Sequence, residues 1–210
     1  MSSRRLFRPA ALAAAIAAST LLGACAPLLI GGAMIGGSMV AIDRRTSGTQ
    51  VDDQAIELKS GKRLAEAIGE RGQINVTSYN RQVLLTGEVP NEADKAAVEL
   101  AIARIENVRS VVNELGLGSG SGIGTRSNDT LLTSKVKASM VDAKDVQANA
   151  FKVVTERGVV YLMGRVTERE ATRATDLARG VSGVRKVVRV FEIVSEAELA
   201  DALPRPAPKP

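Results

Sequence analysis

Histidine and tryptophan are missing, cysteine occurs once, and aromatic residues make up 2% of the 210 residues. Without histidine, the chain lacks the side chain that most often serves as general base or metal ligand near neutral pH. A single cysteine excludes an intramolecular disulfide, even in an oxidising compartment. Scarce aromatics argue against a base-stacking platform for single-stranded nucleic acid. A long uninterrupted apolar span is missing too. The run from Ala10 to Leu22 is short, and Pro27 and the pairs Gly31-Gly32 and Gly36-Gly37 interrupt the apolar residues beyond it, which makes a poor transmembrane helix.

What the N-terminus does contain is ordered. Arg4, Arg5 and Arg8 precede the apolar run, which ends in Leu22-Gly23-Ala24-Cys25. A basic start, an apolar stretch, two small residues and a cysteine make a secretory signal of the lipobox kind. The pattern resembles bacterial lipoprotein precursors. That resemblance implies cleavage before Cys25, acylation of Cys25 with palmitate-type chains, and, with Ala26 rather than Asp next, an outer-membrane address facing the periplasm. Loss of residues 1–24 removes three arginines and lowers the formal charge from +5 to +2, so the high pI overstates how basic the working chain is. Residues 25–51 are expected to form a lipid-anchored tether. Its apolar part, with Leu28, Leu29, Ile30, Met34, Ile35 and Met39, is either a plain spacer or lies against bilayer or partner.

The remainder contains one unit twice. Asn75-Val76-Thr77 through Gly87-Glu88-Val89 aligns with Lys152-Val153-Val154 through Gly164-Arg165-Val166, and Val108-Arg109-Ser110-Val111-Val112 aligns with Val184-Arg185-Lys186-Val187-Val188. Each copy reads helix, strand, strand, helix, strand: an α+β class with two tandem αββαβ modules. In the first copy, Ile56, Leu58, Leu64, Ala67 and Ile68 recur at helical spacing from about Asp53 to Glu70. Asn80-Arg81 and Arg157-Gly158 are expected hairpin turns. The second helix of the first copy is expected to bury Ala93, Ala96, Ala97, Leu100, Ala101 and Ile105. That of the second copy opens on Thr167 with Glu170 at capping-box spacing. Val108 to Leu115 closes the first sheet. Gly87 and Gly164 are expected structural glycines, at a bulge or a close helix–strand contact. The resulting boundaries are module 1 over 52–116, a Gly/Ser linker over 117–127, module 2 over 128–194, and a disordered Pro-rich tail over 195–210.

An apolar-apolar-x-Gly-x-Val strand, an Ala-rich helix and a Val-x-x-Val-Val strand, present twice, resemble the BON domain. Gly48-Thr49-Gln50-Val51-Asp52-Asp53, Ser127-Asn128-Asp129-Thr130 and Met163-Gly164-Arg165-Val166-Thr167-Glu168-Arg169-Glu170-Ala171 carry the more specific part of the match. Two such domains behind a lipobox resemble periplasmic dual-BON lipoproteins. The resemblance implies phospholipid binding, support of envelope integrity, no catalysis and no cofactor.

Charge separates the copies. Asp52 to Leu115 holds 8 basic and 11 acidic residues, and Asn128 to Val194 holds 12 basic and 8 acidic, so the second module suits an anionic membrane surface. Its first helix, expected from about Leu131 to Asp142 behind the capping residues Asn128-Asp129-Thr130, places Leu132, Val136, Ser139, Met140 and Ala143 on a core stripe. Leu131, Lys135, Ala138 and Val141 fall outside it and form the candidate phospholipid-binding set. Alternatively, Leu131 and Val141 pack against module 1, because periodicity does not separate the two cases. The chemistry elsewhere is sparse. Glu168 and Glu170 are two apart on a helix and are expected, with Asp94 and Arg173, on solvated faces. Neither Asp52-Asp53 nor Asp142/Asp145 has calcium-loop spacing, so no metal or catalytic residue is assigned. Nucleic acid is excluded as a partner by modest charge and the missing aromatics. Envelope proteins stay open as partners, with a scaffold for a protease, barrel-assembly factor or cell-wall enzyme as the alternative function; the oligomeric state is not legible.

Overall fold

The structure, a computed structural model, describes residues 43–118 and 123–202. Cys25, the expected leader and the expected tether up to residue 42 lie outside these residues, and the last five residues of that tether, 47–51, are helical. Module 1 comprises α1 (Ser47–Ile68), β1 (Gln73–Tyr79), β2 (Gln82–Val89), α2 (Glu92–Ala103), β3 (Ser110–Asn113) and the short β4 (Gly116–Leu117). Module 2 comprises α3 (Ile123–Asp142), a 3-10 turn at Ala148–Ala150, β5 (Phe151–Glu156), β6 (Val159–Val166), α4 (Glu168–Arg179) and β7 (Lys186–Ile193); α5 (Glu196–Ala202) comes last. In each sheet the middle strand is antiparallel to its hairpin partner and parallel to the closing strand, in the orders β1-β2-β3 and β5-β6-β7. β4 continues the β3 side of β2, opposite Glu88 and Val89.

The middle strands show why the repeats need each other. Val83, Leu84 and Leu85, and likewise Val160, Leu162 and Met163, are fully buried without alternation, as in strands covered on both faces. Val83 and Leu85 face their own helices with Ile56, Val98 and Ile102. Val160 and Leu162 do the same with Val136, Met140, Ala171 and Ala174. The intervening residues meet across the modules: Tyr79 and Leu84 pack with Tyr161, Met163 and Val190. The modules thus stack as four layers, α1–α2, sheet, sheet, α3–α4, with the two helical layers outermost.

Local chemistry repeats as well. Asn80 and Arg81 (φ 51° and 64°) and Arg157 and Gly158 (φ 51° and 75°) form hairpin turns with two positive φ angles in a row. A buried aspartate in the first helix of each module holds the turn. The Asp53 carboxylate accepts from the Asn80 and Arg81 amides, both at 2.8 Å, and from the Ser78 hydroxyl at 2.6 Å. Asp129 accepts from the Arg157 and Gly158 amides at 2.7 and 2.8 Å. Asp129 is therefore a turn anchor inside α3 rather than a helix cap.

Several expectations are corrected. α3 begins at Ile123, so residues 123–127 of the expected linker are helical and Gly116–Leu117 are strand. The tail starts with ordered structure: Ser195 caps α5 through Glu198, and Leu199 is buried. On α1, Leu58 is 83% exposed. On α2, Ala93, Ala96 and Leu100 face solvent while Val98 and Ile102 form the core contact; an alanine-rich helix has no strong apolar stripe to fix its rotation. Glu170 and Asp94 are buried instead of solvated. Gly87 and Gly164 mark close backbone approaches, to strand β1 at Gly87 and to the 3-10 turn before β5 at Gly164. At Gly87 (φ +111°) a Cβ would strike the Gln73 carbonyl, and at Gly164 it would lie 2.6 Å from that of Ala150.

The expected capping box at Thr167 and Glu170 is present, and it carries a second load. Arg44, buried just ahead of α1, forks onto both Glu170 oxygens at 2.7 Å and donates to Gln147 and the Arg165 carbonyl. The segment entering module 1 is thereby pinned to module 2. Burial raises the Glu170 carboxyl, but bonds from Arg44 and the Thr167 amide outweigh it and hold the group below its ordinary 4.5.

Arg44→Ala leaves that buried carboxylate unpaired and should cost about 3 kcal/mol in urea unfolding, while Arg189→Ala at an exposed pair should cost less than about 1 kcal/mol. A lowered carboxyl contributes stability that is complete above about pH 4.5 and lost as pH falls through the folded-state value. The unfolding midpoint of Glu170→Gln should therefore vary less between pH 6 and pH 3 than that of the parent. Gly87→Ala, with both positive φ and a backbone clash, should cost about 2 kcal/mol or more.

Candidate functional site on the outward face of α3

α3 is 20 residues long and divides its surface sharply. Leu132, Val136 and Met140 are at most 2% exposed and join the core of module 2. Asp129 faces inward to the hairpin, and the Thr133 hydroxyl bonds that of Thr155 on β5 at 2.8 Å. The other side presents every member of the candidate set to solvent. Leu131 is 53% and Val141 70% exposed, with Lys135 and Ala138 exposed between them. At 1.5 Å rise per residue, Leu131 and Val141 stand about 15 Å apart along the axis. Neither is buried against module 1. The part of α3 that does reach module 1 is its first turns, where Arg126 bonds Gln73.

Charge on this face is unusual for the molecule. Most arginines and lysines are paired: Arg45 with Asp43 and Asp53, Arg71 with Asp94, Arg81 with Asp52, Lys152 with Glu57, and Arg157 with Glu88. Lys135, Lys137 and Lys144 stand in no ion pair among the described residues. Asp142 is the nearby acid at the helix end, and Asp145 is engaged by Arg173 at 2.7 Å. The arrangement offers two large apolar side chains amid free ammonium groups. That combination suits a surface with an anionic headgroup layer above hydrocarbon.

Burial and the Glu114 charge push the Tyr161 phenol up to about 12, and burial raises Tyr79, so both stay protonated near neutral pH. Among the described residues, no group of three acidic, cysteine or histidine side chains could hold a metal ion, and no helix is long and apolar enough to cross a membrane.

Sequence spacing locates this face. It reads Glu170 only as the far end of a capping box and misses its bond to Arg44, and it misses Asp53, Asp129 and Arg44 as structural anchors. The signal for the two aspartates is that they recur at matched places ahead of each hairpin.

Comparison with known proteins parallels the repeat. The BON domain model matches residues 52–118 and again 128–195. The chain is 38% identical over 183 residues to Outer membrane lipoprotein DolP of Haemophilus influenzae, covering 86% of this chain and 94% of that protein. It is 35% identical over 155 residues to the 21 kDa hemolysin of Actinobacillus pleuropneumoniae, covering 73% and 80%. It is 31% identical over 147 residues to Osmotically-inducible protein Y of Escherichia coli, covering 67% and 72%.

Neighbouring leucines on α3 give a direct check of its orientation. Leu132→Ala should lower stability by about 2–5 kcal/mol, whereas Leu131→Ala should change it by less than about 0.5 kcal/mol, both read from thermal or urea unfolding.

Proposed function

The chain belongs to the BON-domain family as a dual-BON outer-membrane lipoprotein, and we propose that its second module binds anionic phospholipid through the outward face of α3. The observation that carries this reading is the exposure of Leu131 and Val141 beside lysines that stand in no ion pair among the described residues. Each cation near an anionic leaflet contributes about 1 kcal/mol, falling off within a Debye length. Burying one large aliphatic side chain adds about 1.5–3 kcal/mol when complete. Leu131, Lys135, Ala138 and Val141, helped by Lys137 and Lys144, make a weak contact, enough to matter once an acyl anchor at Cys25 holds the protein at the periplasmic face of the membrane.

The mechanism is a two-point hold. The acyl chains keep the molecule on the outer membrane, and α3 reports on the lipid beneath it, engaging where negative headgroups and packing defects accumulate. Support of envelope integrity comes from that local sensing. On this reading the chain acts by binding: the outward face of α3 offers a surface contact, and the sequence lacks histidine, the commonest general base.

The chain from Ala26 onward, which lacks Cys25 and so lacks the anchor, should co-sediment with phosphatidylglycerol vesicles and not with phosphatidylcholine vesicles. Leu131→Glu and Val141→Glu should each abolish most of that binding, and Lys135→Glu should weaken it more at low salt than at high salt. Unchanged binding in all three variants would remove α3 from the account.

A further inference from the structure

We propose that the groove between α1 and α2 of module 1 docks an acidic amphipathic helix of a protein partner. The groove has a volume of about 330 Å³ where Ala67, Ala97, Leu100 and Ala101 line it, and runs on into a second hollow of about 370 Å³ beside Ile105. Its floor is apolar and made largely of alanine, so a helix can approach closely. Leu100, on the lining, is 53% exposed. Apolar anchors along a shallow trough between two helices are what helix-in-groove recognition uses.

The rim decides the charge of the occupant. Lys59, Lys62, Arg63 and Arg104 surround the groove, against Glu66 and Glu106. Glu106 pairs with Lys59 at 3.2 Å, and Glu66 with Arg63 at 3.1 Å and more loosely with Lys62 at 3.8 Å, while Arg104 stands in no ion pair among the described residues. Several of the carboxylates behind module 1's acidic count are committed away from the groove. Asp52 and Asp53 hold Arg81, Arg45 and the first hairpin, Glu57 meets Lys152, and Glu88 meets Arg157 at the junction of the modules. With four cations against Glu66 and Glu106, the rim keeps a surplus of positive charge, and a complementary partner is acidic.

The layering decides the class of occupant. α1 and α2 form the outer layer opposite α3 and α4, so a molecule resting on a bilayer through α3 turns this groove toward the periplasm. The exclusion of lipid from the groove rests on that proposed membrane face; the apolar floor and basic rim do not.

The test uses a dye-labelled 18-residue helical peptide with a leucine stripe flanked by glutamates, and a counterpart with lysines in place of the glutamates. Both are titrated by fluorescence anisotropy with the chain from Ala26 onward, free and bound to phosphatidylglycerol vesicles. The acidic peptide should bind free and vesicle-bound protein alike, and the lysine peptide at least about tenfold more weakly. Arg63→Glu with Arg104→Glu should weaken the acidic peptide at least about tenfold, and Leu100→Glu should do so in an otherwise intact rim. Arg104→Gln, which spares the helix end a negative charge, should give a smaller loss in the same direction. Equal binding of both peptides, no binding of either, or displacement of the acidic peptide by vesicles would overturn the proposal, the last by making the groove a lipid site. Peptide binding by a protein that ignores vesicles would contradict the phospholipid reading of α3 and leave the groove standing.

Discussion

The packing of one sheet on the other governs this molecule. A helix pair covers one face of each three-strand core, and the second face is as apolar as the first. Leu84 on one side and Tyr161 and Met163 on the other would meet water if a module stood alone. A small two-layer unit has little core to spare, so duplication supplies the missing layer. The resulting stack fixes everything outside it: which helices are outermost, which carboxylates are used at the seam, and which cations are left over.

The seam explains an otherwise puzzling distribution of charge. Glu57, Glu88 and Glu192 take Lys152, Arg157 and Arg109 around the edge of the apolar contact, and Arg44 ties the entering segment to Glu170. Partly buried pairs of this kind act more through the cost of losing one partner than through net attraction, so they favour one arrangement of the modules over sliding alternatives. With several acids spent there, two helical surfaces emerge with a surplus of cations beside exposed aliphatic residues, one on α3 and one along α1–α2. They point away from each other. A lipoprotein built this way can hold a membrane on one side and present its other side to the periplasm.

Much of this is legible in the sequence, and the failures have physical causes. The element order comes from the repeat and from hairpin turns at Asn80-Arg81 and Arg157-Gly158, where local chemistry suffices. The α3 face is readable because Leu132, Val136 and Met140 form a clear stripe and leave Leu131 and Val141 outside it. The rotation of α2 is misread because alanines at 93, 96, 97 and 101 do not distinguish inside from outside; Val98 and Ile102 do. The start of α3 is missed because glycine and serine composition suggests a linker, while helical structure starts already at Ile123. Arg44–Glu170 is out of reach, since the partners are 126 residues apart and meet only once the modules stack. The uninterrupted apolar runs of the middle strands are the visible sign of that stacking.

The most direct measurement of the central claim exploits the single cysteine. The chain from Ala26 onward has none, so Leu131→Cys, Val141→Cys and Leu100→Cys each accept one nitroxide label. Depth measured by paramagnetic accessibility on phosphatidylglycerol vesicles should place the labels at 131 and 141 below the headgroups and leave the label at 100 in water. Labels at 131 and 141 that stay as water-accessible as the one at 100 would contradict the account.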